Sequence, residues 1–91
     1  MIYIMKKLGR FMKEKREAMS LSLRDASRLS GVSHTHIRDI EDGRSIPSFE
    51  MVMRFLKAYM VDIGEFLKQT GYALIPEQKK NPLKHQFQRK A

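Results

Sequence analysis

The side chains best suited to chemistry are concentrated in one short stretch of the chain, SHTHIRDIEDGRS, which runs from residue 33 to residue 45. Its histidines and carboxylates are residue types that bind metals or transfer protons. His34 and His36 make a poor metal-binding pair, because side chains two residues apart on a helix point roughly 160° away from each other. The metalloprotease pattern His-Glu-x-x-His is absent, and no Ser/His/Asp set has a plausible scaffold. We therefore expect no enzyme, no metal site and no cofactor.

Composition narrows the field further. The 91 residues include no cysteine, which excludes a thiol nucleophile, a cysteine-based zinc finger and a disulfide framework. A chain of this length forms one domain at most. It has no long apolar run, and its short apolar start precedes its first lysines, whereas in a signal peptide the charge comes first. We expect a protein of the reducing cytoplasm with no membrane partner.

Positive charge dominates the chain but is unevenly distributed. Eighteen lysines and arginines against ten acids give a net charge of +8, which favours a polyanion as partner. Residues 1–45 and residues 76–91 each carry +4, and the segment between them is neutral. Because residues 76–91 contain few apolar side chains, we expect a disordered basic tail that adds sequence-independent attraction to phosphates. The remainder, residues 1–75 with a core at about 6–70, is expected to form the folded domain.

Apolar residues recur at helical spacing throughout that domain. Ser22 with Asp25 resembles a capping box, Ser33 is a good N-cap, and Gly31 is typical of a helix C-terminus. The pattern predicts five helices, at about 5–19, 22–30, 34–42, 48–60 and 62–70. The expected fold class is all-α, a compact five-helix bundle. The apolar stripe of its first helix consists of Leu8, Phe11, Met12 and Met19.

The two ends of the domain have two alternative interpretations. Residues 2–4 and residues 72–75 are short apolar runs rich in residues that favour strands. Either they pair as strands, within one chain or across a dimer, or the first run extends the first helix and the second packs as coil. Both alternatives fit the pattern.

The segment 22–43 contains two short helices around a tight turn centred on Gly31. Helices that cross steeply at such a turn need a residue that tolerates positive φ at the corner and little bulk between them. Ala26 and Ser27 provide small side chains on the first of the two helices. The core contacts of the second come from Val32, Ile37 and Ile40. Its opposite face is therefore free for a ligand.

This segment resembles the helix-turn-helix transcriptional regulators of the phage-repressor and Cro type, also called the xenobiotic-response-element type. That family's pattern is a capped helix, a small residue, Gly-Val-Ser at the turn, a hydrophobic residue and Ile-Glu-x-Gly at the end. Matching positions in this sequence are Ser22, Ser27, Gly31-Val32-Ser33, Ile37 and Ile40-Glu41-Asp42-Gly43. The resemblance covers about residues 8–67. It implies a helix-turn-helix formed by helices two and three, in a regulator that binds duplex DNA. Because one recognition helix covers few base pairs, we expect a nucleoid-associated repressor that binds as a homodimer on a pseudo-palindromic site.

The resemblance also implies which residues meet DNA. The third helix enters the major groove, where each base pair presents a distinct pattern of donors and acceptors. With Ile37, Ile40 and Glu41 facing inward, the helical repeat leaves the base contacts to His34, Thr35, Arg38 and Asp39. Contacts to the DNA backbone are expected from Ser22, Arg24, Ser33, His36, Arg44 and Ser45.

Two structural roles follow from the same resemblance. Arg16, late in the first helix, and Glu41 occupy positions that often pair in the family, so we expect a structural ion pair that orients helix three. A dimer surface is expected on the fourth and fifth helices together with residues 72–75.

Two core positions depart from the family pattern. Leu23 stands where the family commonly has a glutamine that reaches DNA, so that contact is absent and Leu23 becomes a candidate for the core. Ala26 replaces a usual leucine, and the space that it leaves is refilled by Met12, Met19 or Leu23.

Two acids on the expected DNA-facing side are a further departure. Asp39 and Asp42 place carboxylates near phosphates. Either Asp39 accepts a hydrogen bond from cytosine N4, or Arg38 and Arg44 neutralise the two acids, or the domain binds DNA weakly.

Two other functions are alternatives to a regulator alone. Antitoxins in this family neutralise a partner protein and repress their own promoter, and the apolar ends and basic tail suit a toxin-like partner as well as a dimer. Binding of single-stranded RNA fits least, because it relies on exposed aromatic side chains for stacking and most aromatics here fall on the predicted core.

Overall fold

The computed structural model describes residues 2–74, with side chains described for residues 3–73. Five α-helices follow one another in this part of the chain, and a short 3-10 helix follows them: α1 Ile2–Ala18, α2 Leu23–Ser30, α3 His34–Glu41, α4 Phe49–Tyr59, α5 Ile63–Thr70 and the 3-10 helix Tyr72–Leu74. The predicted all-α fold of five helices is confirmed. The basic tail predicted at 76–91 and the last residue of the run 72–75 lie outside the described residues. None of the described helices is long and apolar enough to cross a membrane.

Local capping sets the boundaries of the two central helices. The Ser22 hydroxyl accepts a hydrogen bond from the Asp25 amide at 3.0 Å, and the Asp25 carboxylate accepts one from the Ser22 amide at 3.1 Å. This is the predicted capping box, and it begins α2. Gly31 ends α2 with a φ of 78°, a left-handed conformation that glycine adopts without steric cost. Ser33 then begins α3, since its hydroxyl accepts from the His36 amide.

The two ends of the domain are not strands. Residues 2–4 belong to α1, and the 3-10 helix at Tyr72–Leu74 follows α5, so the strand alternative is wrong within the described residues. Extending a helix that already exists adds one hydrogen bond per residue fixed, without the cost of a new nucleus. Tyr72 is buried, and its hydroxyl donates to the Pro47 carbonyl at 3.0 Å. The prediction that Tyr72 belongs to a dimer surface is therefore wrong, because Tyr72 closes the core of its own chain.

One hydrophobic core lies between the helices. Its fully buried apolar side chains include Leu8, Ile37, Ile40, Val52, Phe55, Phe66 and Tyr72. Ala26 and Met12 are buried as well, and Leu23 is partly buried against the cluster. Met19 is exposed, so its prediction as a core residue is wrong. The reason is local: α1 ends at Ala18, and Ser20 turns the chain away with a φ of 58°.

Candidate nucleic-acid interface

The turn between α2 and α3 is closed by small groups and one long side chain. The Gly31 amide donates to the Ser27 carbonyl at 2.8 Å, and the Val32 amide donates to the buried Ser30 hydroxyl at 3.2 Å. A Cβ on Gly31 would lie 2.9 Å from a guanidinium nitrogen of Arg54, so α4 covers the turn from outside. These contacts fix α3 relative to α2 without a bulky residue at the corner.

The third helix has one apolar side and one exposed polar side. Ile37 and Ile40 face the core and are only 2% and 1% exposed. The four residues predicted to contact bases lie on the rest of the helix, and three of them are exposed: His34, Thr35 and Arg38. Asp39 is only partly exposed. The exposed part of α3 therefore presents an imidazole, a hydroxyl with a methyl group and a guanidinium, a mixture of donors, acceptors and apolar surface of the kind that reads base edges.

The residues predicted to contact the DNA backbone surround α3 without forming one cluster. Ser22 and Arg24 lie at the start of α2, Ser33 and His36 at the start of α3, and Arg44 and Ser45 in the loop after it. Ser22, Arg24, Ser33 and Arg44 are exposed, whereas His36 and Ser45 are partly buried. The structure brings His36 and Ser45 together, with the Ser45 hydroxyl 3.4 Å from Nε2 of His36. The hydroxyls of Ser22 and Ser33 accept from helix amides as caps, which leaves each O–H able to donate to a phosphate.

A buried ion pair connects α3 to the first helix. Arg16 Nε donates to Glu41 Oε2 at 2.7 Å, and a second guanidinium nitrogen donates to Glu41 Oε1 at 3.0 Å, so the contact is bidentate. The two side chains are 10% and 5% exposed. Arg16 also donates to the Leu21 carbonyl at 2.6 Å. The hydrogen bond to Glu41 raises the pKa of Arg16, and the group therefore ties together α1, the loop before α2 and the end of α3.

Gly9 is a structural residue that the sequence reasoning missed. A Cβ at Gly9 would lie 2.5 Å from the carbonyl oxygens of both Ile40 and Glu41, a distance that no side chain tolerates. Only glycine lets α1 pass this closely over the end of α3. The available signal was a glycine inside an amphipathic helix, where glycine costs about 1 kcal/mol relative to alanine and usually has a packing reason.

Neither Arg38 nor Arg44 forms an ion pair with Asp39 or Asp42. The ion pairs among residues 3–73 are Lys15–Glu65, Arg16–Glu41, Arg28–Asp25 and Arg54–Glu50. The direct neutralisation considered above is therefore not present in this structure. At the cap of α2, the hydrogen bond from the Ser22 amide lowers the pKa of Asp25. No three potential metal ligands come together in the described part of the chain.

Two short capped helices joined by a glycine turn, with the outer side of the second one polar and exposed, define a helix-turn-helix. Sequence comparison agrees with this geometry. The helix-turn-helix domain family matches residues 7–67 of the chain. The ImmF control region 10 kDa protein of Bacillus phage phi105 is 33% identical over 72 residues, which is 79% of this chain and 79% of that protein.

A second relative is much longer than this chain. The HTH-type transcriptional regulator PuuR of Escherichia coli (strain K12) is 33% identical over 61 residues, which is 67% of this chain and 33% of PuuR. The match therefore spans about a third of that protein. The chain belongs to the helix-turn-helix domain family and is a DNA-binding transcriptional regulator.

Proposed function

We propose that the chain binds duplex DNA sequence-specifically by inserting α3 into the major groove. The observation that carries this proposal is the division of α3 into a buried side, with Ile37 and Ile40, and an exposed polar side. The major groove is about 12 Å wide and admits a helix, and its donor and acceptor pattern distinguishes all four base pairs. The proposed function is binding alone, without catalysis.

Each exposed residue of α3 has a contact that its chemistry suits. Arg38 can donate two hydrogen bonds to O6 and N7 of guanine, and Thr35 can place its methyl group against that of thymine. His34 stands at the first position of α3, where a ring nitrogen reaches a base edge. Asp39 accepts from N4 of cytosine in this proposal, which gives its carboxylate a partner in the complex.

The surrounding residues hold the domain on the sugar-phosphate backbone. The hydroxyl of Ser22 and the first amides of α2 face one phosphate, with Arg24 beside them. On the other side of α3, Arg44 and Ser45 meet a second phosphate. His36 acts through its contact with Ser45, and Ser33 donates its hydroxyl hydrogen at the start of α3.

We also propose that the functional unit is a homodimer built on the outer surface of α4 and α5. Met53, Met60 and Ile63 lie there and are 42%, 81% and 36% exposed, a group of apolar side chains that a second copy would cover. A two-fold dimer reads two half-sites about 34–36 Å apart, which doubles the sequence that one helix can specify. Occupation of such a site in a promoter suffices for repression, so we propose a cytoplasmic, nucleoid-associated repressor.

In vitro selection from a random duplex pool, at two salt concentrations, tests this function. We expect an enriched pseudo-palindrome with half-sites about one helical turn apart, at both concentrations. Recovery of sequences with no common motif would contradict it.

The dimer is tested by sedimentation of the Met60→Glu variant, which we expect to be monomeric. The control is Ala18→Glu, a matched acidic change on the exposed surface of α1, which should leave the dimer intact. A monomeric wild-type protein that sediments as a complex only with a co-expressed partner protein would favour the antitoxin alternative.

A further inference from the structure

We propose a second DNA-contacting surface on the first half of α1, which holds phosphates beside the end of α3. We call it the α1 basic strip; it consists of Lys6, Lys7 and Arg10, with Tyr3 at its edge. The inference rests on the proposed function and extends it, since none of these four residues belongs to the helix-turn-helix itself.

The strip is a concave surface with helical spacing. Tyr3, Lys6, Lys7 and Arg10 line one shallow groove on α1, because residues three and four apart lie side by side on a helix. All four are exposed, and the ammonium group of Lys7 lies 5.9 Å from the centre of the Tyr3 ring. This cation–π contact orients the lysine along the groove. Three cations therefore point to one side of a single rigid helix.

No ion pair within the described residues neutralises the positive charge of the strip. Within residues 3–73, Lys6, Lys7 and Arg10 form no ion pair, and the cations that do so lie elsewhere, namely Lys15, Arg16, Arg28 and Arg54. Glu14 stands one turn beyond Arg10 and forms no ion pair with it. Free cations held side by side are suited to a ligand with regularly spaced anions, and duplex DNA carries one phosphate charge per about 1.7 Å of helix axis.

Packing places the strip next to the proposed DNA interface. A Cβ on Gly43 would lie 3.0 Å from Lys6 Cγ and 3.3 Å from Lys6 Cα, so the backbone of Lys6 rests on the turn that follows α3. The next residue after this turn is Arg44, which is proposed to contact a phosphate. One turn further along α1, Gly9 touches the carbonyls that end α3. The strip is thus continuous with the backbone-contacting side of the interface.

The recognition helix α3 lacks the positive charge that the strip would supply. Between His34 and Asp42 the chain carries one arginine and three acids. Arg16 neutralises Glu41. Arg38 therefore stands against the carboxylates of Asp39 and Asp42, and the recognition helix supplies no net attraction for the phosphates on either side of the groove that it enters. Compensating cations must come from neighbouring elements.

A pair of matched variants of the full chain tests the inference: Lys6→Gln/Lys7→Gln, and as control Lys13→Gln/Lys68→Gln. The control removes two exposed lysines that belong neither to the strip nor to the apolar dimer surface of Met53, Met60 and Ile63, and that form no ion pair within residues 3–73. The dissociation constant for the selected duplex is measured against salt concentration. Each phosphate contact contributes about 0.9 to the slope of log K against log salt. We expect the salt slope of the strip variant to be shallower than that of wild type by up to about 1.8 for each protomer bound, or about 3.6 for a dimer on the selected duplex. We expect the control to keep the wild-type slope and the base preference to stay the same in both.

Ethylation interference on the same duplex supplies a second readout. We expect the strip variant to lose interference at one or two phosphates that the control retains. A wild-type slope and a wild-type interference pattern in the strip variant would overturn the inference while leaving the proposed function intact. Absence of any sequence preference in the wild-type protein would overturn the proposed function, and the inference with it. Both variants should unfold at the same temperature as wild type. This control shows that the substitutions change DNA binding and not folding.

Discussion

The first and third helices carry opposite chemistry. In α1, six lysines and arginines outnumber two glutamates, whereas from His34 to Asp42 one arginine faces three acids. Yet α3 is the helix with the exposed polar side at the helix-turn-helix. In the proposed complex, base readout and attraction of the polyanion therefore belong to different helices. Base readout needs short-range hydrogen bonds in a defined geometry, whereas phosphate attraction needs charge that acts over a Debye length of about 8 Å.

Such a division works only if the two helices are held rigidly together. The joint consists of two features: the close backbone contact at Gly9, and the buried pair of Arg16 with Glu41. Both act on the C-terminal end of α3. We therefore expect the most severe mutations to lie at the joint, and the mutations with the most specific effects on DNA to lie at exposed positions on either side of it.

The largest effect is expected for Arg16→Ala, which breaks the joint. The substitution leaves the buried Glu41 carboxylate and the Leu21 carbonyl without their donor, and loss of one partner of a buried pair costs about 3–5 kcal/mol. Urea unfolding measures this loss. The control is Arg28→Ala, which removes an exposed ion pair with Asp25 and should cost less than about 1 kcal/mol. Equal losses in the two variants would contradict the role given to the buried pair.

A smaller loss is expected for Gly9→Ala. Helix propensity alone favours alanine by about 1 kcal/mol, but the new Cβ meets backbone carbonyls that cannot move aside, and such overpacking costs about 1–3 kcal/mol. The matched control is Gly64→Ala in α5, where the Cβ meets only a carboxylate oxygen of Asp62, which caps α5 by accepting from the Glu65 amide. A small shift of this cap offsets the gain in helix propensity of about 1 kcal/mol, so no net loss is expected at position 64. Unfolding measurements should show destabilisation at position 9 only. A gain in stability at position 9 would mean that the two helices do not cross as described.

An effect confined to DNA is expected for Arg38→Ala. The side chain is exposed and has no ion pair among the described residues, so folding stability should not change. Specific binding should weaken by about 1–3 kcal/mol for each half-site, with relaxed preference at one base position of each half-site. Selection with the variant measures both. The control Lys68→Ala, another exposed cation, should leave the selected motif as it is, and an unaltered motif in the Arg38 variant would remove Arg38 from base readout.

The smallest effect is expected at Tyr59, which packs beside the joint from α4. Its buried hydroxyl has no hydrogen-bond partner among the described residues, and burial, with the charge of Glu41 as a lesser cause, raises the pKa of Tyr59 to about 12. Tyr59→Phe should therefore raise the free energy of unfolding by about 1 kcal/mol.

The pH dependence of Tyr59 has a definite sign. The pKa of Tyr59 in the folded protein lies above its unfolded value of about 10, so the unfolded chain loses this proton first. The free energy of unfolding is therefore unaffected by this group below pH 10 and falls as pH rises toward 12. Between those pH values, wild-type stability should fall more steeply than that of Tyr59→Phe. Parallel stability curves for the two proteins would contradict this.

Local chemistry explains which parts of the fold were predictable. The central helices were predicted almost to the residue, because Ser22, Gly31 and Ser33 encode their own boundaries. The sequence does not decide the conformation at the start of α1, because Ile and Tyr favour strands whereas the residues that follow them favour a helix. Met19 fits the apolar spacing of the first helix, but α1 ends at Ala18, one residue before it.

Fewer features of the candidate site than of the helix boundaries can be predicted from the sequence. The exposed side of α3 follows from helical periodicity once its buried residues are known. The pairing of Arg16 with Glu41 came from family resemblance, because no local pattern connects residues 25 positions apart. Gly9 could not be interpreted from sequence, since its reason is a carbonyl on another helix. The contact of His36 with Ser45 likewise depends on how the loop after α3 folds back.

The most direct test of this division compares substitutions in α3 and in the α1 basic strip in the same binding measurement. For wild type, Arg38→Ala and Lys6→Gln/Lys7→Gln, the affinity for the selected duplex and for a scrambled duplex is measured over a range of salt concentrations. We expect Arg38→Ala to lower the ratio of the two affinities about 5- to 150-fold for each half-site contacted, which corresponds to about 1–3 kcal/mol per half-site, with the salt slope kept. We expect the lysine variant to flatten the salt slope by up to about 1.8 for each protomer bound, with the ratio kept. If both variants change the same quantity, reading and attraction are not divided between α3 and α1.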